Sequence, residues 1–159
     1  MGSLQAQTSA LQESETKEWL DRYLGSWGGE VSVETATGDV IRTFSVAAEY
    51  WKSDGELRAL TAFEINDKMS FVEARNYFRN KLLFAEVTQG EATVVYRGYL
   101  RDQELYWIPY DAELNTERRM KEWFVKEEGV DVLYIEGVEL LRSSKGVASV
   151  TLRARMIRR

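Results

Sequence analysis

Residues 25–67, GSWGGEVSVETATGDVIRTFSVAAEYWKSDGELRALTAFEIND, decide the fold. Their hydrophobic period is two. Trp27, Val31 and Val33 alternate with Glu30, Ser32 and Glu34. Arg42, Phe44, Val46, Ala48 and Tyr50 make the next alternating face, and Leu57, Ala59, Thr61, Phe63 and Ile65 make a third. That period belongs to strands with one face turned to a core. Thr37-Gly38-Asp39, Ser53-Asp54-Gly55 and Asn66-Asp67 sit where the alternation breaks, and their residue types suit tight turns. The stretch predicts three strands joined by hairpins.

The rhythm continues downstream. Residues 69–78 and 81–88 read as a strand pair around Arg79-Asn80, or as one long strand with a bulge. Further strands are expected at 91–100, 104–110, 118–127, 131–141 and 147–157, with turns at Gln89-Gly90, Arg101-Asp102-Gln103, Glu128-Gly129 and Ser143-Ser144-Lys145-Gly146. Pro109 lies near a strand end, where a missing N–H is tolerated. Residues 111–117 (DAELNTE) are the longest loop after the tail. Upstream, 14–24 (SETKEWLDRYL) reads as a short amphipathic helix: Trp19, Leu20, Tyr23 and Leu24 share a stripe, and Gly25 sits where a C′ glycine belongs. Residues 1–13 read as a disordered tail with a vector-derived start, Met1-Gly2-Ser3.

About nine or ten short strands without crossover helices make an antiparallel meander. Left open, such a sheet has two exposed edges, and closure removes both. The expectation is all-β: a single up-and-down β-barrel over 14–159, with the N-terminal helix plugging one end. A barrel this wide can keep a cavity. An outer-membrane barrel does not fit, because Glu30, Glu34, Glu49, Arg58 and Glu64 charge the outward phase.

Composition closes several chemistries. The 159 residues suit one domain, and 44% hydrophobic and 12% aromatic residues supply a core. A net charge of −5 argues against a nucleic-acid partner. With no cysteine there are no disulfides or thiolate sites, and with no histidine the Ser-His triad and the common zinc sites are closed. No metal or other cofactor is implied. No apolar run is long enough for a membrane-spanning helix, and no signal peptide is visible. The compartment stays open between the cytoplasm and export with a signal peptide removed.

Leu24-Gly25-Ser26-Trp27-Gly28-Gly29-Glu30 is the most specific motif. A short helix followed by Gly-x-Trp at the first strand resembles the calycin superfamily: lipocalins, fatty-acid-binding proteins and nitrobindins. The resemblance implies a lipocalin-like barrel over 14–159 in which Trp27 plugs one end and an arginine of the last strand packs across it. Arg153 or Arg155 is the expected partner. A C-terminal helix and a helix–turn–helix lid between the first two strands are both missing from the pattern. What remains is similar to lidless bacterial barrels of the nitrobindin kind and to uncharacterised lipocalin-like bacterial proteins. Tyr96-Arg97-Gly98 and Arg153-Ala154-Arg155 are looser parallels. Nitrobindins hold haem through a histidine, which this chain lacks, so no haem is expected.

Candidate ligand-binding residues follow from the aromatic and basic positions. Tyr50, Tyr77, Tyr96, Trp107 and Trp123 are expected to line a lumen that takes a small hydrophobic or amphipathic molecule. In strand 69–78 the faces Phe71/Glu73/Arg75/Tyr77 and Val72/Ala74/Asn76/Phe78 cannot be told apart by period. If the first points inward, Arg75 and, by its phase, Arg42 would suit an anionic head group. Glu117-Arg118-Arg119 and Lys121-Glu122 read as a solvated mouth beside the loop. The basic end from Arg142 onward is expected to pair with Glu30, Glu34, Glu136 and Glu139.

The leading function is small-molecule binding or carriage in the lumen. One alternative is an isomerase- or cyclase-type enzyme using Glu73 and Tyr77, with Asp111 as a further carboxylate. No nucleophile or catalytic set stands out, so no catalytic residue is assigned. Another alternative is a filled barrel acting as a homo-oligomerising module, with Trp51 or Tyr106 at the interface.

Overall fold

The computed structural model describes residues 2–110 and 117–159. Helix α1 spans Gly2–Asp21, and ten strands follow: β1 Gly25–Thr35, β2 Val40–Ser53, β3 Glu56–Ile65, β4 Lys68–Arg79, β5 Leu82–Gln89, β6 Ala92–Arg101, β7 Glu104–Pro109, β8 Glu117–Glu127, β9 Val130–Ser143 and β10 Gly146–Arg158. Each strand pairs antiparallel with its sequence neighbours, and β1 pairs with β10. The sheet is therefore a closed ten-stranded barrel. The loop expected at 111–117 lies almost wholly outside the described residues, and Asp111 with it.

Seven of the nine hairpins use two-residue turns; β1–β2 and β7–β8 have longer connections. Asn66-Asp67, Asn80-Lys81 and Asp102-Gln103 carry positive φ at both positions, as do Asp54-Gly55 and Glu128-Gly129. Paired positive φ values twist the chain in the sense that flanking strands need. The expected pair at 69–88 thus resolves as two strands, turning at Asn80-Lys81 rather than Arg79-Asn80.

The helix differs from its expected bounds at both ends. It begins at Gly2, so the backbone expected as a tail to residue 13 is helical. Leu4–Ser14 contains no proline or glycine and is rich in Ala, Gln, Leu and Glu, which favour a helix. It lacks an apolar stripe, which is why pattern alone does not reveal it. At the other end the last turn tightens. Arg22, Tyr23 and Leu24 donate backbone hydrogen bonds to residues three positions back, and Gly25 then turns at φ +112°.

The core begins where this helix enters the barrel. Trp19, Leu20 and Tyr23 are buried against Trp27, Leu105 and Leu133. Phe124 is the hub: its ring lies 4.8 Å from Tyr23, 5.4 Å from Trp19 and 5.8 Å from Trp27. Trp27 is 1% exposed and packs in this cluster where the helix enters the barrel.

The arginine across Trp27 is Arg158, 4.3 Å from the ring centre, and not Arg153 or Arg155. Pleat parity decides this. Leu152, Ala154 and Met156 point inward opposite Val33, Val31 and Gly29, so Arg158 shares their face opposite Trp27. Arg153 and Arg155 fall on the outer face. There Arg153 pairs with Glu34 at 3.2 Å and Glu136 at 3.3 Å, as the basic end predicts, and Arg155 pairs with Glu127. Arg158 also donates to the carbonyls of Arg22 and Leu24, both at 2.5 Å, and to Asp131 Oδ2 at 3.1 Å. The Trp27 indole N–H donates to the Tyr23 carbonyl at 2.7 Å.

Arg158→Ala should cost about 2–4 kcal/mol, from the lost cation–π contact and the orphaned helix carbonyls. Arg153→Ala, which removes exposed ion pairs, should cost less than about 1 kcal/mol. Urea unfolding of the two variants checks the contrast, and equal losses would refute the role given to Arg158.

Candidate functional site

The lumen is built by pairing register. Residues opposite each other on antiparallel strands share a face. Leu57 and Ala59 are buried inside, and they pair with Asn76 and Ala74. Val72, Ala74, Asn76 and Phe78 are therefore the inner face of β4. Around the ring the inner positions include Phe44, Val46 and Tyr50 on β2, Tyr96 on β6, Trp107 on β7 and Ile135 on β9.

These side chains leave space. A cavity of about 190 Å³ lies next to the helix, lined by Leu20, Tyr23, Tyr50, Tyr96, Trp107 and Glu122 among others. A second, of about 310 Å³, continues away from the helix between Val31, Phe44, Phe63, Leu152 and Met156. Tyr50, Thr61, Val72, Arg118, Met120 and Ile135 line both, so the cavities adjoin. Their size and mixed lining suit a small-molecule site. A cleft of about 300 Å³ lies between α1 and the inner face of β4–β6 at the barrel end, another of about 290 Å³ lies on the outer face over β2–β5, and both carry more polar surface.

The expected ligand residues divide by parity. Tyr50, Tyr96 and Trp107 do line the lumen. Arg75 and Tyr77 do not, because β4 presents its other face. Arg75 pairs outside with Glu56 and Glu86, each at 3.6 Å, and lies 4.6 Å from the Tyr77 ring, which stacks on Phe84. Trp123 is also outside, stacked 5.4 Å from Tyr134 with Lys121 4.9 Å away. Arg42 shares the phase of Phe44 but is exposed near the strand start. The inward arginine pair expected for an anionic head group does not form. Glu73, like Tyr77, is on the outer face, and Glu73 is exposed.

The charged groups of the lumen come instead from the segment expected as a solvated mouth. Arg118, Met120, Glu122 and Phe124 are the inner residues of β8, opposite Glu139, Gly137, Ile135 and Leu133 of β9. Arg118 Nη2 donates to Glu139 Oε2 at 2.7 Å. Its Nε is buried without a hydrogen-bond partner among the described residues. Glu122 sits deeper. The Tyr23 hydroxyl donates to its Oε2, and Trp107 lines the same cavity and favours the charged form of the carboxyl. The surface that Glu122 keeps opens into the cavity. The signal that could have found these residues is again parity: Arg118 and Glu122 are in step with Met120 and Phe124.

Burial pushes the Glu122 carboxyl above its ordinary range, and Tyr23 and Trp107 offset only part of this. Tyr23 and Tyr50 are pushed up by burial and by the Glu122 charge, so both stay protonated donors. Burial likewise raises Tyr96. Among the described residues, no group of three or more carboxylates is placed to hold a metal ion. No helix among them is long and apolar enough to cross a membrane.

Glu122→Gln tests the buried carboxyl. A raised folded-state pKa means that the folded chain keeps a proton which the unfolded chain releases. Wild-type stability therefore falls as pH rises from 4.5 through the raised value. The glutamine should gain nothing near about pH 4 and roughly 2–4 °C in melting temperature near pH 7. A gap independent of pH would mean that Glu122 is solvated. In the comparisons with known proteins, no family model matches this chain and no curated protein matches it.

Proposed function

We propose that this barrel binds or carries a small apolar or amphipathic molecule in its lumen. The observation that carries this reading is the adjoining pair of cavities of about 190 and 310 Å³, apolar for most of their lining and polar at a few convergent points. Phe44, Phe63, Leu152 and Met156 offer an apolar wall, while Tyr50, Tyr96 and Trp107 offer ring faces. Arg118 and Glu122 would orient a polar head. A kinship with calycin barrels is part of the same proposal. It rests on the helix entering one end, on Trp27 in its Gly-x-Trp setting, and on Arg158 lying across that indole.

The enzymatic alternative through Glu73 and Tyr77 has no shared cavity to work in, since both lie on the outer face. The filled-barrel alternative meets an unfilled lumen. Trp51 is exposed, as an oligomer contact would need, but Tyr106 is half-buried and its hydroxyl is taken by Glu104.

Native against denaturing mass spectrometry of protein purified from cells should show an added mass that denaturation removes. Thr61 lines both cavities, whereas its neighbour Ala62 faces outward opposite Ala47 and Phe71. Thr61→Trp should weaken binding of a neutral solvatochromic dye by about tenfold or more, and Ala62→Trp should leave it unchanged. Equal binding by both variants would place the dye elsewhere and refute lumen binding.

A further inference from the structure

We infer that the lumen selects ligands bearing a cationic amine on an apolar tail, with the amine seated at Glu122. This rests on the lumen-binding reading above and names its ligand class. Among the described residues, Arg118, Glu139 and Glu122 are the charged side chains at inner positions of β8 and β9 away from the helix end, where Lys126 and Arg158 pair with Asp131. Arg118 and Glu139 neutralise each other at 2.7 Å. Among the described residues Glu122 is left over: its hydrogen-bond partner is the Tyr23 hydroxyl, with the Trp107 indole lining the same cavity, and neither supplies charge. An ionised carboxylate in an enclosed apolar site is costly unless a cation joins it. An ammonium group would supply that cation and the N–H donors for the remaining carboxylate lone pairs.

The surroundings fit the same ligand. Tyr23, Tyr50 and Trp107 line the cavity around Glu122, and a cation near aromatic faces gains further. The larger cavity beyond is apolar, so a hydrocarbon tail has a place to lie. A carboxylate ligand at the same depth would meet like charge. The titratable groups facing Glu122 are Tyr23 from α1 and Tyr50 from β2, both held protonated, with Tyr96 of β6 and the paired Arg118 further along the cavity. Glu122 is then the group whose ionisation an amine would follow. Because it starts with a raised pKa, amine affinity should climb as pH rises through that value.

The test is competition against a bound neutral dye by decylamine, decanol and decanoate, which share a chain length and differ in head charge. Decylamine should displace the dye at roughly tenfold lower concentration than decanol at neutral pH, with decanoate weakest. Lowering the pH should erase the amine's advantage without moving decanol. Glu122→Gln should bring decylamine to the level that decanol shows on the same variant. Decanoate binding best, or all three competing equally, would overturn the amine assignment while leaving lumen binding intact. Failure of all three to displace a dye whose binding Thr61→Trp also fails to weaken would overturn the lumen reading itself. The wild-type rank order decides the matter even if Glu122→Gln does not fold.

Discussion

The contact between Arg158 and Trp27 is the constraint on which the rest of the molecule depends. One guanidinium covers the indole at the first strand, binds Asp131 on β9, and takes two carbonyls of the turn that leads from the helix into β1. A helix end leaves its last carbonyls without intrahelical partners, and a cation there is doubly favourable. Here the carbonyls of Arg22, Tyr23 and Leu24 are all met, the middle one by the indole N–H. The same group of atoms therefore ties the seam of the barrel to its plug. Without it the helix would lose its anchor and the lumen its floor.

That floor is also part of the site. Tyr23 reaches from the plug to Glu122, so helix docking and the buried carboxyl are one arrangement. Phe124, two residues on from Glu122 and on the same face, packs on Trp19, Tyr23 and Trp27. The structural hub and the polar centre are successive inner residues of one strand. A change at either should be felt at the other, because they share the Tyr23 side chain.

How much of this was legible follows parity. Strand positions and hairpins were plain, because alternation and turn residues are local properties. So was Trp27 at one end, and so were Tyr50, Tyr96 and Trp107 in the lumen. The failures have one cause. β4 is amphipathic on neither face by composition, so Arg75 and Tyr77 could not be assigned until pairing with Leu57 and Ala59 fixed the face. Arg118 and Glu122 look like surface charges beside a polar loop, and only their step with Met120 and Phe124 marks them as internal. Arg153 and Arg155 drew attention as a motif, although the inner phase of Leu152, Ala154 and Met156 already pointed to Arg158.

The class of fold is written in local pattern: ten-residue rhythms, two-residue turns and the absence of crossover helices leave a closed meander as the economical solution. The sequence also removed whole chemistries by lacking cysteine and histidine. Which face of each strand is inside comes from strand pairing in the folded barrel, because a one-residue change of phase exchanges core for surface and is set by the neighbouring strand. The fold likewise leaves Glu122 without a charged partner among the described residues, since that depends on Arg118 meeting Glu139 across a strand pair rather than on either residue's place in the chain.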